Sequence, residues 1–477
     1  MKKNLLTGSF TYGAVTIFSR FAAIILIPIL TRFLSPDEYG ALNIVITTVQ
    51  LVTLIVTLEI AQAVTFYFNN RTETDREQYP ATALWFSLSL YLIFILIIIV
   101  TGGFISDLFS EIHIGKKMIK SGALLLAANG TFFFLQNQLR LEFKSKQYAI
   151  LSVGYVVLTC LGAILGAIFF EQPPTGVILG QAIGASIINI GGFFLMWYRF
   201  RIGVNRSKLR QMLRYSLPLV PAGLLLIGGQ QAPKFLLGFY GSLEDVGIYG
   251  LASQIAGFAG LAILGVQTAI TPSVLANHHL EETPRELGKL FEDFTIVALF
   301  FCCFLTVYSP ELVLIFSTGS YSAAAGYVPL LAFSIALNGL YIFFPGKIIR
   351  GKSALQLYAS AGGFIVSILA GVILIKLYGI KGAAVSSLLS AATFITIWYY
   401  LSQKLYLLPI RWLLIFKSVL LAVAVCLGAT FLLPSGFNWY VILLKAVVLG
   451  LLVFLIAKDK LITLWKKYFR SSPPSRI

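Results

Sequence analysis

Four basic side chains stand where an apolar chain should not carry them. Arg20 lies about 13 residues into the run from Gly8 to Leu34, Lys234 follows Gln230 and Gln231 in LIGGQQAPKFLL, and Lys417 and Lys445 interrupt two late apolar runs. One carboxylate, Glu59, is read at comparable depth. A charge at the centre of a membrane helix costs about 2.5–3.5 kcal/mol on insertion scales, so it is retained where it faces water, an anion or a counter-ion. Four cations against one acid make a cavity that prefers an anion and repels a cationic cargo. Two uses compete for Arg20, lining a wet cavity or pairing with Glu59. Lys234 lies four residues past Gln230 and so shares its helical face; its alternative is to snorkel outward. Lys417 and Lys445 are the weaker candidates, assigned to a lipid groove. Asn129, Gln136, Asn137, Gln181, Gln254, Gln267 and Asn338 either bond helix to helix or touch a ligand.

No further chemistry is expected. GKIIRGKS (346–353) satisfies the phosphate-loop pattern but has neither the preceding strand nor the soluble domain that a nucleotide needs. Triplets of the glycosylation type begin at Asn70, Asn129 and Asn205, on inside segments or within a span. His113, His278 and His279 fall in loops, while Cys160, Cys302, Cys303 and Cys426 fall in apolar runs, where a thiol behaves as a small hydrophobe. The reading therefore contains no catalytic residue, no metal and no cofactor.

The elements that must hold these residues follow from composition. With 58% hydrophobic and 12% charged residues over 477 positions, the chain is too apolar for a soluble fold. Apolar runs of about 20 residues cross a bilayer, and reading them between polar breaks predicts an all-α polytopic membrane protein with about 14 transmembrane helices. The first run keeps Arg20 in its middle and lacks a small-residue cleavage site, so it is read as a span and not a removable signal peptide. The charge of +17 is assigned to membrane sidedness, not to nucleic acid. With the N-terminus inside, 26 of the 36 Lys and Arg fall on inside segments, six outside and four within spans. Both termini are thus placed in the cytoplasm, in the cell inner (cytoplasmic) membrane. Trp85, Trp197, Trp398, Trp412 and Trp439 fall at span ends, where amphipathic rings settle. The discordant segment is 107–120, outside with three lysines, and is read as interfacial.

An internal repeat organises the spans. At an offset of 210, Tyr39-Gly40 pairs with Tyr249-Gly250, Arg140 with Arg350, and Tyr148-Ala149 with Tyr358-Ala359. The expected units are two pseudo-symmetric six-helix lobes, 1–198 and 215–402, joined by a basic cytoplasmic linker, 199–214, and followed by two additional helices with a basic tail, 403–477. Parallel repeats of this kind place a transported substrate between them near the midplane. The stretch Leu217 to Phe235 holds three prolines and Gly228-Gly229, which predicts a kinked or unwound seventh span.

LTRFLSPDEYGALNIV and TLEIAQAVTFYF in the first two spans, PKFLLGFYGSLEDVGIYGLASQIAGF at spans 7 and 8, and GIKGAAVSSLLS at span 12 carry a resemblance over essentially the whole chain. The chain resembles the polysaccharide transporter (Wzx-type) branch of the multidrug/oligosaccharidyl-lipid/polysaccharide exporter superfamily. The resemblance implies a flippase for undecaprenyl-pyrophosphate-linked oligosaccharide, working by alternating access in surface polysaccharide assembly. It also implies membrane lipids, a polysaccharide polymerase and chain-length machinery as partners. The chain departs from the pattern at an Asp-Arg pair, where Lys234 keeps the cation but Pro233 replaces the acid. The last two spans are similar to those of the peptidoglycan-precursor flippase, which are implied to take the lipid tail. The competing readings are that flippase itself, an ion-coupled multidrug exporter, and a membrane glycosyltransferase or polymerase. Scarce buried acids count against the exporter, and the lack of a long outside loop against the enzymes. The topology predicts that a reporter active only outside the cell works when fused after Gln172 and fails after Gly203. The opposite pattern would invert the orientation.

Overall fold

The computed structural model describes residues 2–69, 73–108, 114–200, 203–261, 282–346, 354–432 and 438–451, together with Ile263 and Leu280. Every element within them is helical. The first set is α1 (Lys2–Phe33), α2 (Pro36–Thr57), α3 (Ile60–Asn69), α4 (Glu73–Leu108), α5 (Lys116–Leu141), α6 (Ser145–Phe169), α7 (Pro173–Leu195) and the short α8 (Trp197–Phe200). The second is α9 (Arg206–Ser216), α10 (Leu219–Tyr240), α11 (Leu243–Ala256), α12 (Thr283–Val307), α13 (Ser309–Phe316), α14 (Val328–Gly339) and α15 (Ala354–Gln403). Two further helices follow, α16 (Trp412–Leu432) and α17 (Trp439–Leu451).

Among the described residues, nine helices are long and apolar enough to cross a membrane, or up to eleven if each of two bent pairs counts as one span. The chain is a polytopic helical membrane protein, and fourteen spans stays an expectation. The expected eighth and fourteenth spans continue beyond the described residues, as do 347–353 and most of the basic tail. α15 is 50 residues long but breaks at Gly379, whose φ of 56° and ψ of −130° suit glycine. Its two halves fold back on each other, with Gly363 against Phe394 and Gly382 against the backbone of Leu374.

Lipid gives no hydrophobic drive between helices, so close packing of small residues does that work. α6 and α7 meet through Gly162, Gly166, Gly176 and Gly180; a Cβ on Gly180 would stand 1.9 Å from the Gly162 carbonyl oxygen. The tightest crossing between the two bundles joins α2 and α11. A Cβ on Gly40 would fall 1.9 Å from the Leu243 carbonyl oxygen, and one on Gly247 would fall 1.9 Å from that of Pro36. Both helices open with a reciprocal capping box, Ser35 with Glu38 and Ser242 with Asp245. These pairs are related by a shift of 207 residues, not the 210 read from the tyrosines, and the contact is mutual as a pseudo-two-fold requires. At the same end, Thr31 Oγ1 donates to the Phe316 carbonyl (2.8 Å) and the Tyr321 hydroxyl to that of Leu34 (2.9 Å). The bundles are thus tied where α1 and α10 finish.

Several expectations are corrected. Span 2 is not continuous, because Leu58 and Glu59 both take left-handed backbone (φ 49° and 53°) between α2 and α3. Span 9 divides after Val307 into α12 and α13. Within the basic linker, Asn205 caps α9, which carries four of the six linker cations and meets α10 at 45°. The bend therefore precedes Gly228-Gly229, and α10 runs unbroken through Pro233. Proline leaves the carbonyl four residues earlier without a donor, and Ser367 Oγ supplies one to Gly229 at 2.7 Å. Lys116, Lys117 and Lys120 stand in the first turns of α5, while 109–113 of the segment read as interfacial lie outside the described residues.

The charge balance also changes. Lys445 and Glu311 are 3% and 5% exposed and form an ion pair at 2.5 Å that fastens α17 to α13. Buried Glu292 on α12 accepts from Arg411 at 2.6 Å beside the start of α16. Glu59 is therefore not the one buried acid. Lys445 is a structural cation, not a groove lysine. Cys303 and Cys426, 3.4 Å apart as free thiols, add a contact between α12 and α16. Removing one partner of a buried pair strands the other charge, at a cost of about 3–5 kcal/mol. Thermal unfolding of purified protein should show Lys445→Met strongly destabilised and the double variant Lys445→Met/Glu311→Leu largely recovered. A single variant as stable as wild type would contradict the clamp.

Candidate functional site

A cavity of about 470 Å³ is walled by the second bundle, and among the described residues Arg20 is the one lining residue that the first bundle adds. α1 contributes Arg20 and α10 contributes Gly229, Gln230, Gln231 and Lys234, while α11, α14 and the second half of α15 form the far wall. The positions Gln230, Gln231 and Lys234 recur at helical spacing, so one face of α10 presents two amides and an ammonium together. Gly228 and Gly229 let the opposite side of α10 sit on Phe364, with a built Cβ 3.1–3.2 Å away. That contact, with the Ser367 bond, fixes the face that carries Lys234.

The far wall is a hydrogen-bonded seam. The Tyr249 hydroxyl pairs with Ser387 Oγ at 2.8 Å, Ser334 Oγ donates to the Ser387 carbonyl at 2.9 Å, and Asn338 Nδ2 donates to the Ser334 carbonyl at 3.2 Å. Ser390 Oγ donates to the Gly363 carbonyl at 2.9 Å. The hydroxyls so engaged still accept, which gives the wall neutral polarity. Of this seam the sequence marks Asn338 as a polar residue of a span and Tyr249 only as a repeat partner of Tyr39; the serines carry no signal apart from neighbours. Across the bundle interface, Gln231 Nε2 approaches Gln50 Oε1 of α2 at 3.5 Å. Among the described residues lining the cavity, none is Asp or Glu.

Arg20 is exposed and also lines a second cavity, of about 450 Å³, within the first bundle. Among the described residues neither Arg20 nor Glu59 has an ion-pair partner, so of the two uses weighed for Arg20 the pairing with Glu59 is not the one seen. Glu59 is half-buried at the break between α2 and α3, with Oε1 3.7 Å from where a Cβ on Gly223 of α10 would stand. Two consecutive non-glycine residues in left-handed backbone store strain, and the break turns this carboxylate toward α10. Lys417 is exposed on α16 and is absent from the apolar groove that Trp412, Ile415 and Val419 form with α12 and α14. Five of the marked residues, Arg20, Gln230, Gln231, Lys234 and Asn338, therefore line one cavity; Glu59, Lys417 and Lys445 do not.

Residues 29–326 match the family described as polysaccharide biosynthesis protein. Two relatives are each 22% identical. The succinoglycan biosynthesis transport protein ExoT of Rhizobium meliloti aligns over 57% of this chain, which spans only about half (54%) of that relative. The Lsg locus putative protein 1 of Haemophilus influenzae aligns over 81% of this chain and 95% of its own length. The lipid II flippase MurJ in an inward closed conformation shares the fold, with a TM-score of 0.72 at 12% identity over 94% of this chain and 99% of that one. An inward-facing multidrug resistance MATE transporter follows the same architecture, with a TM-score of 0.62 at 13% identity over 81% and 95%. With that family match over more than half its length, the chain belongs to the polysaccharide biosynthesis protein family, and its fold is that of a polytopic helical membrane protein.

Proposed function

We propose that the chain is a flippase that moves undecaprenyl-pyrophosphate-linked oligosaccharide repeat units from the inner to the outer leaflet of the cytoplasmic membrane, for surface polysaccharide assembly (O-antigen, capsule or exopolysaccharide). One observation carries this reading: Arg20 from one bundle and Lys234 from the other line a single cavity whose lining holds no carboxylate. A pyrophosphate needs concentrated positive charge and donors, and a charge-assisted hydrogen bond in a low-dielectric cavity is stronger than its counterpart in water. A cationic drug would meet two like charges there, which disfavours the multidrug reading.

In this proposal lobes 1–198 and 215–402 rock about the cavity. With both termini cytoplasmic, the tied end at Gly40 and Gly247 faces outside, and the cavity loads from the cytoplasmic side. Glu59, set on a strained break against α10, is the coupling group for an ion gradient. The delivered repeat unit would pass to a polysaccharide polymerase and chain-length machinery. The MurJ fold supports a peptidoglycan-precursor flippase as a second reading, since that cargo presents the same pyrophosphate chemistry.

Losing one hydrogen bond to a charged group costs about 1.5–3 kcal/mol. In proteoliposomes, Arg20→Ala and Lys234→Ala should each slow leaflet transfer of a fluorescent lipid-linked oligosaccharide by roughly 10- to 100-fold. Transfer at the wild-type rate in both would rule out the cationic site, and drug efflux without lipid transfer would rule out the flippase. Glu59→Gln should abolish any acceleration by an imposed ion gradient; an unaltered response removes Glu59 from coupling.

A further inference from the structure

The second cavity extends from Arg20 into the first bundle, between α1, α5, α6 and α7. At about 450 Å³ it falls within the range of small-molecule sites, roughly 300–1,000 Å³. Its lining separates by chemistry. Thr16, Ser19, Gln136, Ser152, Thr159 and Gln181 are neutral and polar; Phe132, Phe133, Tyr148 and Tyr155 are aromatic. Arg20 is the sole charge among the lining residues.

The polar groups are poised toward the void. Thr16, Ser19 and Thr159 donate to carbonyls of their own helices at 2.8, 2.9 and 2.7 Å, so their oxygens keep lone pairs for an incoming donor. Gln136 Nε2 donates to Ser152 Oγ at 2.8 Å, which leaves its carbonyl oxygen and second N–H. Gln181 has no side-chain hydrogen bond among the described residues. An amide at membrane depth without a partner is costly unless water or ligand supplies one. The aromatic side is rigid at one point and open at another. Tyr155 stacks on Phe132 with centroids 3.6 Å apart and donates to Asn129 Oδ1 at 2.8 Å, while Phe133 is 56% exposed.

Neutral acceptors and amides opposite aromatic faces suit a molecule with a hydroxyl-bearing rim and apolar C–H faces, which is a sugar ring. A metal ion or cationic drug would need carboxylates, and a lipid tail has no use for six polar groups. We propose that this cavity is a glycan subsite, resting on the flippase reading. It takes the short neutral saccharide next to the pyrophosphate, with Phe133 and Tyr155 as stacking faces and Gln136 and Gln181 reading hydroxyls. Arg20, shared by both cavities, holds the phosphate at the junction between glycan and headgroup.

The test compares two ligands on the full chain in lipid nanodiscs: undecaprenyl pyrophosphate without sugar, and the undecaprenyl-linked saccharide extracted from the host's own membranes. Wild type should bind the saccharide-bearing lipid about tenfold tighter than the sugar-free one. Phe133→Ala and Gln181→Leu should collapse that ratio to below about threefold, and Phe133→Tyr should preserve it. Phe133 is exposed enough that its truncation leaves no packing void, and the sugar-free lipid reports on folding. Equal weakening toward both lipids would make these residues structural and overturn the subsite. Wild-type binding of both lipids with equal affinity would overturn the subsite and leave the flippase intact. Binding of neither lipid would overturn both.

Discussion

The contact on which the rest of the structure depends is the crossing of α2 and α11. With glycine at Gly40 and Gly247, backbone meets backbone, and any side chain at either position would collide with a carbonyl oxygen. Capping boxes at Ser35 and Ser242 satisfy the first amides of both helices, so two helix starts can be packed without unpaired donors. The polar cavity is walled by α10, α11, α14 and α15 of the second bundle, and α1 of the first reaches it through Arg20.

Charge inside the membrane is handled in two ways. Lys445 is neutralised by Glu311, and Arg411 by Glu292, and both pairs secure α16 and α17 to α12 and α13. Among the described residues Arg20 and Lys234 have no such acid, and both line a cavity instead. The first pair of charges holds helices together. The second leaves positive charge in a cavity with no acid among the described lining residues, which is where the proposed flippase would hold an anionic headgroup.

Helical periodicity made much of this readable. Gln230, Gln231 and Lys234 fall together because α10 is regular, and Arg20 had to find an interior surface because lipid excludes it. What stayed hidden depended on distant partners. Glu311 lies 134 residues before Lys445, so their pairing has no local trace. Pro233 suggested unwinding, but a hydroxyl from Ser367 repairs the missing bond. The break at Leu58 and Glu59 contains neither glycine nor proline, and only tertiary packing imposes it. The repeat was visible through tyrosines at a shift of 210, whereas the backbone contact follows 207. Glycines and caps, not side chains, set that register.

The central claim is that the cavity is exposed alternately on two sides as the bundles rock about it. Spin labels on Asp37 and Glu244 would report the tied end, and labels on Lys146 and Lys404 the opposite end; all four positions are exposed. Distances between each pair, measured by pulsed electron resonance in nanodiscs, should respond in opposite directions when lipid-linked saccharide is added. A population with a longer Asp37–Glu244 distance and a shorter Lys146–Lys404 distance is predicted. Both distances lengthening together, or neither changing while transfer proceeds, would contradict the account.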